Sequence, residues 1–162
     1  MILRYTRNKH TSTIDGEDNS ILSRSTVEDT FFAATVEIAV KLPDMEITSV
    51  KGTMERAFGD ECRKAIPFLK KVKGLRIGPG IIKAIEESVG GSEGCPRMAD
   101  LVWECCNGII LRFTADSVGE ILSKEAGEQI EGHRELARKN PRLIGSCIAF
   151  AEGSPLIEGL EI

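Results

Sequence analysis

The sequence predicts an α+β domain, in which an antiparallel β-sheet carries helices packed on one face. Two patterns support this fold class. Apolar and polar residues alternate over residues 34–40, which is the period of a half-buried strand. Apolar residues then recur at helical spacing in several segments between residues 60 and 139. Since 162 residues are enough to bury a substantial core, we expect a single domain over residues 1–162.

The predicted β region covers residues 1–56. Residues 1–28 mix short apolar groups with turn-forming residues, and we interpret them as two short strands around a loop. A hairpin follows, because the Pro43-Asp44 turn separates the alternating segment from a second strand at 46–54. The residues expected to pair with that second strand are Val36, Ile38 and Val40.

The predicted helical region, residues 60–139, begins with acidic residues that suit a helix N-terminus. Pro67 lies inside the first segment, so we expect a broken helix there. Pro79 and Gly90 bracket the next helix, since proline favours the first helical position and glycine follows the last. Its expected buried stripe consists of Ile81, Ile82, Ile85 and Val89.

The third predicted helix covers residues 96–113 and starts with a proline. Helical signals return over 118–138 after a polar turn at 114–117. The apolar run 143–151 is interpreted as a closing strand of the sheet, and 152–162 as an irregular tail.

Composition and charge limit the expected partners. A net charge of -4 argues against a nucleic-acid binder driven by phosphate contacts, which would need a basic face. No apolar run approaches the roughly 20 residues needed to span a bilayer, and the N-terminus lacks the order of a secretory signal. We therefore expect a cytoplasmic protein that binds neither nucleic acid nor membranes, and that has a protein partner or forms a homo-oligomer.

Five cysteines carry the functional prediction. In the reducing cytoplasm metal binding or redox chemistry is favoured over a disulfide framework. Cys62 and Cys95 each lie at the start of a predicted helix, where free amides and the helix dipole stabilise a thiolate. Cys62 also shares a face with core residues, so a buried structural thiol is the alternative for it. Cys147 lies in an apolar run, where a buried structural thiol is the favoured interpretation. Cys105 and Cys106 are expected to be packing residues.

Two stretches resemble the signature of a bacterial and archaeal domain family of unknown function. They are GLRIGPG at residues 74–80 and GGSEGC at residues 90–95. Members of that family often carry His-Asp-Met at the start of the hairpin strand and Gly-Cys-Thr-His-Leu around the second cysteine. Here Ala33 or Ala34 stands at the first histidine position and Arg97 at the second. If the family has a His/Cys metal site, this chain keeps the thiols and lacks both imidazoles.

A more distant resemblance is to iron–sulfur scaffold proteins of the NifU/SufE kind, which bring separated cysteines together at one end of a small sheet packed on helices. The order of a hairpin, Cys62, a Val-Lys-Gly turn and Cys95 leading a helix is similar in this chain. The third scaffold cysteine, at the start of the hairpin, has no equivalent. This resemblance implies a site built from Cys62 and Cys95. The cofactor is unknown at this point, and zinc and an iron–sulfur cluster are the two candidates.

The leading functional hypothesis is a non-catalytic cysteine module. It would bind a metal or iron–sulfur species, or carry sulfur, through Cys62 and Cys95, with Cys147 as a third metal ligand. The second hypothesis is a thiol-dependent enzyme with Cys95 as nucleophile on an acyl thioester, for which we identify no catalytic base. The third is a structural or assembly protein whose cysteines all lie in the core. Whether the protein is an enzyme stays open at this point.

Overall fold

The structure is a computed structural model and describes residues 4–160. The chain forms two compact units, which divide between Ile110 and Leu111. The first unit contains a four-stranded antiparallel sheet and helical segments, and the second is mainly helical. The α+β fold class predicted from the sequence is therefore confirmed.

The sheet has the strand order β1-β2-β3-β4, and each strand is antiparallel to its neighbours. The strands are β1 (Arg7–Asp15), β2 (Ser20–Asp29), β3 (Ala33–Lys41) and β4 (Glu46–Arg56). The predicted hairpin is confirmed as β3 and β4. Its predicted residues pair as Val36 with Gly52, Ile38 with Val50, and Val40 with Ile47.

One face of the sheet is buried and the other is polar. Alternate residues of β2 and β3 form the core side, which includes Ile21, Val27, Ala34, Val36, Ile38 and Val40. On this side the thiol of Cys105, in the third predicted helix, donates a 3.5 Å hydrogen bond to the Val36 carbonyl. A Cβ at Gly108 of the same helix would lie 2.9 Å from the Thr11 side chain, so this glycine lets the helix approach β1 closely. Arg24 and Glu37 form a 2.8 Å ion pair on the polar side.

The first helical segment, Asp60–Val72, is a single 3₁₀ helix. The predicted broken helix is therefore wrong. Pro67 lies inside the segment, where it has no N–H to donate, and the 3₁₀ winding continues on both sides of it. The residues that this helix buries are Ala65, Leu69 and Val72.

Helix α1 (Ile81–Val89) ends at Gly90 as predicted, but begins two residues after Pro79. Gly80 precedes it with a φ of 89°, a left-handed conformation that glycine adopts without strain. Ile85 is 2% exposed, whereas Ile82 is 58% exposed. Placing Ile82 in the buried stripe was wrong, since it lies in the first turn of the helix, one residue and therefore about 100° of rotation after the buried Ile81.

Helix α2 (Pro96–Leu122) starts at its predicted proline but continues through the predicted polar turn at 114–117. The interruption comes later, before helix α3 (Ala126–Lys139). There the Gln129 side-chain amide donates to the carbonyl of Lys124 at 2.7 Å, which satisfies one acceptor left free near the end of α2. Within residues 4–160, no helix combines the length and apolar character required to cross a membrane.

The predicted closing strand at 143–151 is wrong. Two short 3₁₀ helices, Pro141–Leu143 and Ile148–Phe150, flank a turn instead. Gly145 has a φ of 73° and its N–H donates to the Phe150 carbonyl at 2.9 Å, so the apolar run folds back on itself. Among the described residues the sheet therefore has only the four strands of the first unit.

Candidate functional site

Cys95 immediately precedes α2, as the sequence predicts. Its carbonyl accepts hydrogen bonds from the N–H groups of Met98 and Ala99, both at 3.0 Å. Its own N–H donates to the Val89 carbonyl at 2.8 Å. The side chain is half-buried and packs against the core. Both backbone polar groups of Cys95 are thus fixed, and the residue as a whole is only partly buried.

The glycine before Cys95 is required by a close backbone contact. A Cβ at Gly94 would lie 2.0 Å from the Val89 carbonyl oxygen and 2.2 Å from the Gly90 carbonyl oxygen. These are backbone atoms at the end of α1, and they cannot move aside as a flexible side chain can. The Gly94-Cys95 pair therefore reflects how closely the α1–α2 connection returns to the end of α1.

Cys62 is the third residue of the 3₁₀ helix that starts at Asp60, and it is also half-buried. The next residue, Arg63, fixes this part of the chain. Its guanidinium donates to the carbonyls of Met54 and Glu55 at the end of β4, at 3.3 and 3.2 Å, and to the Asp60 carboxylate at 2.8 Å. The segment that carries Cys62 is thereby held against the last residues of the sheet.

The two cysteine segments meet through the side chains of Phe58 and Arg97. The Arg97 guanidinium carbon lies 5.8 Å from the centre of the Phe58 ring. Phe58 is four residues before Cys62, and Arg97 is two residues after Cys95. The structure therefore brings both segments to the same end of the first unit.

Asp29, the last residue of β2, organises this end of the unit. It is the only buried charged residue in the described part of the chain. Its Oδ1 accepts hydrogen bonds from the N–H groups of Phe31 and Phe32, at 2.8 and 2.7 Å. Its Oδ2 accepts from Arg7 at 2.9 Å and from Arg97 at 3.1 Å. One carboxylate thus joins the strand end, a turn and two arginines from distant parts of the sequence.

Burial alone would raise the pKa of the Asp29 carboxyl. Hydrogen bonds from the Phe31 N–H, the Arg7 guanidinium and the Phe32 N–H act in the opposite direction, together with the charge of Arg97. They lower the pKa to about 2. Asp29 is therefore ionised at neutral pH, and its charge is matched by the two arginines.

Exposed aromatic rings lie beside these arginines. The ring centres of Tyr5 and Phe31 are 6.3 Å apart, and those of Phe31 and Phe58 are 5.8 Å apart, both pairs being stacked. Arg7 lies 5.7 Å from the Tyr5 ring centre. We call Tyr5, Arg7, Phe31, Phe58 and Arg97 the arginine–aromatic surface.

The other three cysteines differ in their accessibility. Cys105 and Cys106 lie in the core, as predicted, and burial raises the pKa of each thiol to about 12. Cys147 belongs to the second unit and is exposed, so the interpretation of a thiol buried in a strand is wrong. The N–H groups of Ala149 and Phe150 lower the pKa of the Cys147 thiol.

No group of three His, Cys, Asp or Glu side chains within residues 4–160 is placed so that it could hold a metal ion. The predicted metal set of Cys62, Cys95 and Cys147 stays a prediction. Two thiols are fewer ligands than the four of a structural zinc site. A metal bound by Cys62 and Cys95 would therefore need further ligands from water, another protein or a second copy of the chain.

Sequence reasoning missed Asp29 and the aromatic rings around it. One signal was present, because Asp29 continues the core-facing alternation of Ile21, Ser23, Ser25 and Val27 in β2. A charged residue in a buried register needs a partner, so this position indicates an ion-pair site. Its partners Arg7 and Arg97 are far away in the sequence and carry no comparable signal.

The first unit is thus an α+β unit with two half-buried cysteines, Cys62 and Cys95, and an arginine–aromatic surface at one end. The chain belongs to the family described as "Protein of unknown function (DUF2889)", whose profile matches residues 9–110. The matched residues fall within the first unit and include β2 to β4, Cys62, Cys95 and Arg97. Comparisons with curated proteins and with solved structures gave no match.

Proposed function

We propose that residues 9–110 form a non-catalytic binding module that uses Cys62 and Cys95 as thiol ligands. The observation that carries this proposal is the Phe58–Arg97 contact, since it joins the two cysteine segments at one end of the unit. Cys62 and Cys95 are half-buried, whereas Cys105 and Cys106 are buried. Two half-buried cysteines whose segments meet at one end of the unit support a site for soft-ligand chemistry.

The cargo would be a metal ion, an iron–sulfur species or sulfur itself. A structural zinc site has four protein ligands, and Cys62 and Cys95 supply only two of them. The three cargoes therefore differ in the further ligands that they need. A metal or cluster would be shared with another protein or a second copy. Sulfur carried on a thiol needs no further ligand from the protein. The resemblance to NifU/SufE-type scaffolds, in which cysteines converge at one end of a sheet, favours an iron–sulfur or sulfur cargo.

Metal and sulfide analysis of protein purified without oxygen tests the proposal. Wild-type protein should contain stoichiometric metal or thiol-bound sulfur, and the variants Cys62→Ser and Cys95→Ser should each lose it. Cys106→Ala is the matched control, because this thiol is in the core and should not contribute. Cys147→Ser shows whether the third predicted ligand takes part.

The same samples distinguish the two alternative functions. A single hyper-reactive thiol at Cys95, with no metal or sulfur, would favour an enzyme that uses Cys95 as nucleophile. Neither bound cargo nor an unusually reactive thiol would favour a structural or assembly protein. Cargo that is unchanged in both Cys62→Ser and Cys95→Ser would contradict the proposed module.

A further inference from the structure

Two guanidinium groups are held against one buried oxygen at the arginine–aromatic surface. The Asp29 carboxylate has no exposed side-chain area, whereas the Arg7 and Arg97 side chains are 47% and 37% exposed. The Arg97 guanidinium also lies 4.9 Å from the centre of the Phe32 ring. Both arginines are therefore fixed from the core side while remaining accessible from solvent.

Each of these arginines has donors that the described part of the protein does not use. A guanidinium carries five N–H groups. Within residues 4–160, the hydrogen bonds of Arg97 come from Nη1 alone, and those of Arg7 come from Nε and Nη2. Because Arg7 Nη2 and Arg97 Nη1 both lie within 3.1 Å of the same Asp29 oxygen, the two guanidinium groups are held side by side.

Apolar contact area lies next to these free donors. Tyr5, Phe31 and Phe58 are all exposed, and Phe58 keeps 75% of its surface accessible. Aromatic residues and arginine are the side chains most enriched in the centres of protein interfaces. Since the rings stack on one another and the arginines are already fixed, little conformational entropy is lost when a partner binds.

We propose that the arginine–aromatic surface binds an acidic segment of a partner protein. A carboxylate of that segment would accept hydrogen bonds from Arg7 and Arg97, and a neighbouring aromatic side chain would pack on Phe31 and Phe58. The inference does not depend on the thiol module, because the surface contains no cysteine.

The charges around the surface favour an acidic peptide over a nucleic acid. Asp100 and Glu104 follow Arg97 along α2, and both bind Lys9, at 2.7 and 2.9 Å. Lys9 thus offsets part of the negative charge that these two carboxylates place beside the surface. A run of phosphates would meet them, and the chain as a whole carries a net charge of -4.

Selection from a displayed library of random short peptides tests the inference with the full chain as bait. The enriched peptides should combine Asp or Glu with an aromatic residue. A synthetic peptide of the most enriched sequence should bind wild-type protein about tenfold more tightly than it binds Arg97→Gln or Phe58→Ser. Its affinity should fall as salt screens the charged contacts.

The variants separate recognition from folding. Phe58 makes none of the hydrogen bonds of Asp29, so Phe58→Ser directly removes only ring contacts, those with Phe31 and Arg97. Arg24→Gln is the matched arginine control, since Arg24 forms its exposed ion pair with Glu37 on the polar face of the sheet. It should bind the peptide as wild type does. A protein in which both Cys62 and Cys95 are replaced by serine should also bind normally.

Three results would overturn the inference. One is the absence of enriched peptides, or enrichment of neutral or basic ones. Another is equal peptide affinity for wild type, Arg97→Gln and Phe58→Ser. The third is tighter binding of a single-stranded DNA oligonucleotide than of the selected peptide, which would assign the surface to nucleic acid instead.

Discussion

Replacing Gly94 by alanine should destabilise the first unit and disturb the position of Cys95. The new Cβ would lie 2.0 Å from the Val89 carbonyl oxygen and 2.2 Å from the Gly90 carbonyl oxygen. Overpacking in a tight site commonly costs about 1–3 kcal/mol. Because both obstacles here are backbone atoms, we expect a loss near the upper end, about 3 kcal/mol in the free energy of unfolding.

Urea unfolding followed by tryptophan fluorescence measures this loss. Trp103 is the only tryptophan and packs against the core of the first unit, so the signal reports on that unit. Gly78→Ala is the matched control, because no atom lies within 4 Å of the added Cβ. Its effect should be about 0.5 kcal/mol or less. If Gly94→Ala and Gly78→Ala unfolded at the same urea concentration as wild type, the close contact before Cys95 would be refuted.

Three further predictions follow from burial and pKa. Ile85→Ala should cost about 2–5 kcal/mol, whereas Ile82→Ala should change the free energy of unfolding by about 0.5 kcal/mol or less; equal effects in urea unfolding would contradict the packing of α1. The folded-state pKa of Asp29 is about 2, below its ordinary 3.8, so its stabilisation is complete above about pH 4 and is lost as pH falls toward 2. The Asp29→Asn variant should lack this pH-dependent stabilisation. If wild type and Asp29→Asn lost stability in parallel as the pH falls, this role of Asp29 would be contradicted. Iodoacetamide should label Cys147 before Cys106 at neutral pH, because only the exposed thiol has a lowered pKa; peptide mass spectrometry checks the order.

The β3–β4 hairpin was predictable because its signals are local. Alternation in β3 and the Pro43-Asp44 turn define the hairpin within a short stretch of sequence, and the structure confirms its pairing. The wrong predictions concern segments whose conformation depends on how the rest of the chain folds. The apolar run at 143–151 has strand-like composition, yet the left-handed Gly145 turns the chain back on itself. The segment 114–117 is polar but contains neither glycine nor proline, and α2 continues through it.

Only part of the candidate site could be predicted from the sequence. Cys95 could be placed at a helix start from the neighbouring Gly94 and Pro96, which are local signals. The Asp29 ion pairs could not be predicted from the sequence, because Arg7 and Arg97 reach the carboxylate from β1 and α2. Such contacts depend on strand order and helix placement, which a single sequence does not specify.

The most direct test of the proposed module asks whether Cys62 and Cys95 act together. Phenylarsine oxide forms a stable adduct only when two thiols can bind one arsenic atom. The folded protein should take up a single arsenical, and digestion should show it linking the peptides that contain Cys62 and Cys95. Either variant, Cys62→Ser or Cys95→Ser, should lose the adduct. An adduct that survives both substitutions, or none in the folded wild-type protein, would contradict a shared thiol site.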